Sequence, residues 1–423
     1  MKNKNRTIIV DFGCENQYQK IISDGQVFIE YVIAFILSIG FQVAHKCHCS
    51  GGSSLTRHSH YTRVKSGGIT IWRIQCKTCK AVFTVIPSFL MRYFGCRTKQ
   101  SQKALLAYHG GLSLENCAIS FNISPMSLYR IICAFGKYST EKVLAHAGIS
   151  LPEYIQVDEK HTKCLGKKGY IPIISSGHII WHIDYVNSVE EDTLETSYKK
   201  FDVETKKIEP SYTPRAVTHD GFKATTNALG HIFKKATSNL ICWLHACWSL
   251  VKILEPFSKE EANNISYWLL YILKECHQKV SLRRISLKNR FIALLKRYKE
   301  ILPANIFENL KSWVNRKKPY LYTSMDFPST QCFSYSIDHI CNHLDRKLFM
   351  MKYFHHYSSR KDLFVKGYAL IHCFVPYQRF ARNAYLSPVQ VEGASLPHKD
   401  WFISLSILTS GGYKKQNNVI PDS

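Results

Sequence analysis

The sequence predicts an α/β core interrupted by an all-α segment and preceded by a small cysteine-bearing β ribbon and a pair of short helices. Three observations predict it. Residues 153–185 alternate apolar and polar side chains between Gly-bearing turns, the period-2 pattern of half-buried strands. From Val189 to Trp243 helical and β-branched stretches alternate, as in strands joined by crossover helices. Between Leu250 and Pro328 apolar residues recur at helical spacing among many Lys and Arg.

Composition bounds what such a chain can do. At 423 residues and 45% hydrophobic content it is long enough for about two to four domains with a substantial core, which excludes a disordered tail. Lys and Arg number 56 against 31 acids, a formal charge of +25 that self-repels unless a polyanion partners it. Nucleic acid is the first candidate and an anionic membrane the weaker one. The N-terminus lacks a basic segment, apolar run and small-residue cleavage site in succession, so no secretory signal is expected. The 15 cysteines, an odd number scattered mostly singly, point to a reducing compartment, with metal ligation where they cluster.

Taken in order, residues 1–45 offer one helix. The apolar stretch Val27–Ala44 is broken by Glu30, Ser38 and Gln42, and Phe28, Tyr31, Phe35 and Ile39 share one helical face, so it is expected to pack against the core and not to cross a membrane. Residues 46–90 are expected to form a zinc-ribbon-like unit. Cys47-His48-Cys49 and Cys76-Lys77-Thr78-Cys79 flank a Gly-rich, alternating stretch, and two cysteine knuckles can converge on one tetrahedral Zn²⁺. The first knuckle is tight, so His45 or His48 can stand in for one thiolate, and a pair of buried thiols is the alternative.

Residues 91–150 have the layout of a helix-turn-helix. Ser113 can cap a first helix, Asn122-Ile123-Ser124 makes a turn, and Ser124-Pro125 supplies a cap and first-turn Pro for a second helix presenting Met126, Ser127, Tyr129 and Arg130. An ordinary helical hairpin has the same spacing; the basic charge favours DNA. Residues 151–250 and 331–385 are expected to build one core, with 251–330 as an all-α insertion and 386–423 as a C-terminal tail that frays from about Ser410. Three hairpin-like strands followed by alternating helix and strand describe a ribonuclease-H-like α/β core. The insertion's Arg283, Arg284, Lys288 and Arg290 are expected on a DNA-facing side, a solvated basic face being the alternative.

The chemistry centres on two acids. Tyr154-Ile-Gln-Val-Asp158-Glu159-Lys160-His161 reads as a strand delivering Asp158 at its exit. Arg215-Ala-Val-Thr-His219-Asp220-Gly221-Phe222 repeats the arrangement, with Gly at the turn. In the expected topology the two acids lie side by side, where carboxylates can share hard divalent ions.

Four pieces together resemble bacterial insertion-sequence transposases of the DDE type, closest to the Mutator-like branch. They are Val157-Asp158-Glu159-Lys160-His161, Thr218-His219-Asp220-Gly221, Cys242-Trp243-Leu244-His245, and Ser336-Ile337-Asp338 followed by Asn342 and Phe354. The resemblance spans most of the chain, from the cysteine ribbon to near Arg382. It implies a catalytic site of Asp158, Asp220 and Asp338 holding two Mg²⁺ (or Mn²⁺), with His245 orienting DNA or a carboxylate and Cys242 packed in the core. It implies cleavage at element ends followed by strand transfer into target double-stranded DNA, a homo-oligomer on that DNA, a structural Zn²⁺ on Cys47, Cys49, Cys76 and Cys79, and a cytoplasmic, nucleoid-associated protein without membrane contact. The family's third acid is usually Glu; here Asp338 stands there, one C–C bond shorter, with Ser334-Tyr335 in place of the usual Thr-Asn. That departure keeps two alternatives in view, a catalytically inactive transposase-derived DNA-binding protein and a metal-dependent nuclease without strand transfer.

Overall fold

The structure, a computed structural model, describes residues 6–44, 55–92, 94–233, 237–278, 283–327, 329–355 and 358–415. The chain divides into two compact units, Met1–Ser150 with Ser359–Ser423, and Leu151–Ser358. Among the described residues no single helix is long and apolar enough to cross a membrane.

The first unit begins with strand β1 (Thr7–Val10), then α1 (Glu15–Ser23), α2 (Gly25–Ser38) and β2 (Phe41–Val43). Four successive apolar-rich residues, too few to show a period, make β1 a buried strand. In α2 the buried residues are Phe28, Ile29, Val32 and Ile36, so the face is that of Phe28 and its i+4 and i+8 neighbours; Tyr31, Phe35 and Ile39, expected on it, are only partly covered. Strands β3 (Leu55–Arg63), β4 (Ile69–Cys76) and β5 (Val82–Pro87) follow, and the sheet order is β1-β5-β4-β3, with β1 parallel to β5 and the rest antiparallel. Helices α3 (Thr98–Gly110), α4 (Leu114–Phe121), α5 (Pro125–Phe135) and α6 (Thr140–His146) complete its N-terminal part.

The second unit holds β6 (Tyr154–Cys164), β7 (Lys167–Ser176), β8 (Ile179–Ile183), α7 (Glu191–Lys206), β9 (Ala216–His219), α8 (Lys223–Phe233) and β10 (Ser238–Ile241). Its sheet runs β10-β9-β6-β7-β8. β6, β7 and β8 form an antiparallel meander, whereas β9 and β10 run parallel to β6, joined through the crossover helix α8. Five consecutive buried residues in β8 and a run of five in β7 place this sheet deep in the unit. Helices α9 (Trp243–Leu254), α10 (Lys259–Gln278), α11 (Arg283–Lys299) and α12 (Ala304–Asp326) then pack around Trp243, Leu250, Leu269, Leu273, Phe291 and Trp313, a core that includes Leu240 and Ile241 of β10. The all-α stretch is thus fused to the edge of the sheet. Helix α13 (Tyr335–Met350) ends the unit's regular structure.

After Ser358 the chain rejoins the first unit with α14 (Lys361–Phe374), α15 (Pro388–Val391), α16 (Trp401–Leu408) and β11 (Tyr413–Lys415). Residues 359–385 therefore do not complete the sheet that carries Asp158. They pack on α5 because Gly136 and Gly367 let the helices touch: a side chain at Gly136 would overlap the Leu363 carbonyl, and one at Gly367 that of Ile132. As far as Lys415 the C-terminal stretch is packed where fraying was expected, and residues 416–423 lie outside the described residues. Trp401, Phe402 and Leu405 are core residues, Ser410 is fully buried, and β11 pairs with β2.

Candidate active site

Backbone register brings the first two acids together. β6 pairs with β9 through Tyr154↔Ala216, Ile155↔Val217 and Gln156↔Thr218. Two residues beyond the last pair on each chain are Asp158 and Asp220, so the parallel register delivers both acids past the same end of the β6–β9 ladder. Asp158 is not at the exit of its strand. β6 continues to Cys164 in antiparallel pairing with β7, and only its parallel partner stops short, so Asp158 lies just past the last β6–β9 pair. Beyond Asp220 the chain turns at Gly221, whose φ of +92° favours glycine. Asp220 Oδ1 accepts the Phe222 N–H at 2.7 Å, which holds the acid at the turn.

Helix α13 lies along the same face of β6. Alternate residues of a strand share a face, and the partners of Gln156, Asp158 and Lys160 all come from this segment: Gln156 Nε2 donates to the Phe333 carbonyl at 2.6 Å, Cys341 Sγ lies 3.6 Å from Asp158 Oδ2, and Lys160 Nζ pairs with Asp345 Oδ1 at 3.1 Å. Cys341 and Asp345 are i+3 and i+7 from Asp338, so all three share a helical stripe that follows β6. Asp338 sits in the first turn of α13, where the helix N-terminus favours an anion, and Ser334 Oγ donates to its Oδ2 at 2.8 Å. Asp345, although Arg346 and Lys347 follow it on its own helix, takes Lys160 of the strand as its partner.

The electrostatics tie the acids to one another. Burial lifts the Asp158 carboxyl above its ordinary range, the Glu159 amide hydrogen bond opposes this, and the charges of Asp220 and Asp338 lift it further. Among the described residues none of the three forms an ion pair, and their oxygens do not all come within 4.8 Å of one another, so no single-ion cage is preformed. Hard oxygen donors facing each other without a cation are a fitting donor set for Mg²⁺ or Mn²⁺.

His245, in the first turn of α9, completes this neighbourhood. A hydrogen bond with the Cys242 thiol raises its affinity for a proton, burial opposes it, and the Asp220 and Asp338 charges add to it. Burial pushes the Cys242 thiol up, but hydrogen bonds from His245 and Ser334 outweigh it and the net shift is downward. Cys242 Sγ lies 3.3 Å from Ser334 Oγ and accepts the Ser334 N–H at 3.3 Å. Cys242 therefore anchors the residue that holds Asp338. The His245 Nδ1 atom is buried with no hydrogen-bond partner among the described residues.

Three features here were not singled out from sequence. Glu159 points to the opposite face of β6, where Tyr198 of α7 and Thr225 of α8 donate to its Oε1; burial pushes its carboxyl up to about 7. His219 is buried neutral, its pKa lowered to about 4 chiefly by burial. Lys317 of α12 reaches the Gly221 turn, with Nζ 2.9 Å from where a Cβ on Gly221 would stand. None of these has a local sequence signal, since each depends on pairing between distant elements.

The remaining candidate residues lie on other elements. Cys76 is buried at the end of β4 and Cys79 half-exposed in the β4–β5 turn, which Lys80 closes by donating its N–H to the Cys76 carbonyl at 2.9 Å. Leu55, the first described residue after Ala44 and the first of β3, pairs with Cys76; Cys47, Cys49, His45 and His48 lie outside the described residues. Helices α4 and α5 are bent by 110°. Ser113 and Ser124 cap them as expected, Asn122 takes a left-handed conformation, and Gln100 of α3 donates to the Phe121 and Asn122 carbonyls across the turn.

Of the expected contacts on α5, Arg130 is exposed and Ser127 is half-buried, its N–H taken by the Ser124 cap. Tyr129 must be withdrawn as a DNA contact: it is buried and its ring stacks on Phe364 of α14, 5.3 Å between centroids. On α11, Lys288 is exposed and Arg290 pairs with Glu275; the side chains of Arg283 and Arg284 lie outside the described residues.

No protein-family model matches the sequence, and no curated protein matches it.

Proposed function

We propose that the protein is a DDE-type DNA transposase: it binds the ends of an insertion element, cuts a strand there, and joins the freed 3′-hydroxyl to target DNA. The observation that carries this reading is the β6–β9 register, which puts Asp158 beside Asp220, with the charge of Asp338 bearing on the same buried carboxyl. The strand order, a three-stranded antiparallel meander with two further strands parallel to its first, supports a ribonuclease-H-like core. Two divalent ions held by the three acids would offset the charge that develops on phosphorus during in-line displacement and would lower the pKa of the attacking water. The protein's own groups position that chemistry. Gly221 and the Phe222 amide hold Asp220, Ser334 holds Asp338, Cys242 holds Ser334, and His245 presents a polar ring edge beside the acids.

The N-terminal unit supports DNA binding through α4 and α5, with Arg130 exposed on the second helix, and the formal charge of +25 supports a polyanionic partner. The β4–β5 turn supports a structural Zn²⁺ on Cys76 and Cys79 with Cys47 and Cys49; elemental analysis of the full chain should find about one zinc, lost in Cys76→Ser. The reading is tested with labelled duplex made from the sequences that flank the coding region. Metal-dependent nicking followed by joined products is the expected result. Nicking without joining would leave a nuclease, and binding without nicking an inactive DNA-binding protein, the outcome that Asp338 in place of Glu keeps in play.

A further inference from the structure

The turn after Asp220 has a cationic neighbour from far along the chain. Lys317 lies on α12, the last helix of the all-α segment, which packs against β10. Its Nζ stands 2.9 Å from an ideal Gly221 Cβ, where Ile241 Cδ1 is 3.2 Å away, so Gly221 leaves the space that the ammonium fills. The electrostatics give the same placement from three sides. Burial and the adjacent Arg316 lower the Lys317 pKa while Asp220 raises it, and Lys317 in turn helps keep His219 neutral. Among the described residues Lys317 donates no hydrogen bond and forms no ion pair, and Asp220, the acid whose charge bears on it, is beyond ion-pair distance.

A half-buried ammonium without a paired acid carries a desolvation cost that a merely structural lysine would relieve by turning to solvent or pairing. The charge balance of the site calls for an anion there. A divalent ion on Asp220 would repel Lys317 and so cannot be its partner; a phosphate of the bound strand, crossing between the acids and α12, can.

We propose that Lys317 contacts a substrate phosphate at the cleavage centre, so that the all-α segment supplies part of the reaction site and not only outlying DNA affinity. This rests on the carboxylate-site reading above. The lysine is a point charge that needs no fixed hydrogen-bond fork, which suits a phosphate whose position shifts between strand cleavage and strand transfer.

The test uses the full chain, the flanking-sequence duplex, and three variants, Lys317→Gln, Lys317→Arg and Asp220→Asn. Loss of one phosphate contact should reduce the slope of log affinity against log salt by about 0.9 in Lys317→Gln, a readout that does not depend on turnover. Cleavage at saturating DNA should fall about 100-fold in Lys317→Gln, as for other single charge-stabilising groups, and recover to within about tenfold in Lys317→Arg. Mn²⁺ affinity without DNA, read by electron paramagnetic resonance, should be equal or tighter in Lys317→Gln, because a cation beside Asp220 is gone. An unchanged salt slope, or Mn²⁺ affinity lost together with activity, would overturn the inference. Failure of the underlying reading is seen separately, as Mn²⁺ binding that Asp220→Asn leaves untouched, and it too removes the proposal.

Discussion

Each unit has a parallel strand pair with an acid just beyond it, and the two acids meet opposite fates. In the first unit Val10 pairs with Pro87, and the next residues, Asp11 and Ser88, lie side by side. There every oxygen of Asp11 is satisfied: Ser88 Oγ donates at 2.6 Å and the Gly13 N–H at 3.0 Å to Oδ1, and His398 Nε2 lies 3.0 Å from Oδ2. Because His398 Nδ1 accepts the Asp400 N–H, Nε2 carries the proton and donates it. The His398 hydrogen bond, against the cost of burial and with help from Ser88 and Gly13, holds the Asp11 carboxyl well below the usual range. Asp158 occupies the equivalent position in the second unit, but its neighbours are Asp220 and Asp338, and its carboxyl is lifted. Topology delivers both acids alike. What surrounds them makes one a structural tie and leaves the other among like charges.

The widest gap between the two should appear in activity. If Asp158 and Asp220 hold the proposed ions, Asp158→Asn and Asp220→Asn should each lower cleavage by at least about 10³-fold, while thermal midpoints stay level or rise as like-charge repulsion is relieved. Asp11→Asn should do the reverse, reducing stability and leaving the cleavage rate of the folded fraction intact. A large fall in the Asp158→Asn midpoint with cleavage preserved would make Asp158 another Asp11.

Asp338 sharpens the comparison, because Ser334 satisfies one of its oxygens and the other has no hydrogen bond among the described residues. If it shares the site, Asp338→Ala should be as inactive as Asp158→Asn, and Asp338→Glu should keep or raise activity by extending reach. Asp345→Ala, which removes only the ion pair with Lys160, should cleave within about threefold of the parent. The opposite ranking in a nicking assay would move the third acid two turns along α13.

How much of this could be read from the chain follows the range of each interaction. The strands bearing Asp158 and Asp220 announce themselves through β-branched alternation, and the Ser113 and Ser124 caps through residue type. Asp338 has no such local signal; only a resemblance singled it out. What stayed hidden is set by partners far away in sequence. Tyr129 is spaced for exposure but lies under Phe364, Lys317 is one cation in a basic run until α12 meets the Gly221 turn, and β1 is too short to show a period. The polar composition around Ser410 suggested a loose end, yet Arg92 donates to the Thr409 and Ser410 carbonyls and fastens it.

Asp11 should give a smaller, pH-dependent effect. Its folded pKa is depressed, so the stability it contributes is present above its unfolded pKa near 4 and is lost as pH falls toward the folded value. Asp11→Asn should therefore cost on the order of 2 kcal/mol at pH 7, and the difference from the parent should close as denaturation is followed below pH 4. A cost that stays constant with pH would assign it to packing and not to the charge.

Glu159 should give the smallest change, and it inverts the sign. It sits behind Asp158 on β6 with hydrogen bonds from Tyr198 and Thr225, yet burial dominates and its folded pKa is about 7, above its ordinary value of 4.5. A raised folded pKa means that stability is full below pH 4.5 and declines as pH rises through 7, because the unfolded chain ionises freely while the folded chain resists. Glu159→Gln keeps an oxygen for Tyr198 and Thr225 and removes the ionisation. In EDTA the variant and parent should match at pH 4.5, and the variant should gain on the order of 1–2 kcal/mol by pH 8, read from denaturant melts at both pH values. Parallel curves would mean that Glu159 is already ionised at low pH and held as Asp11 is, in which case the two faces of β6 would differ in geometry alone.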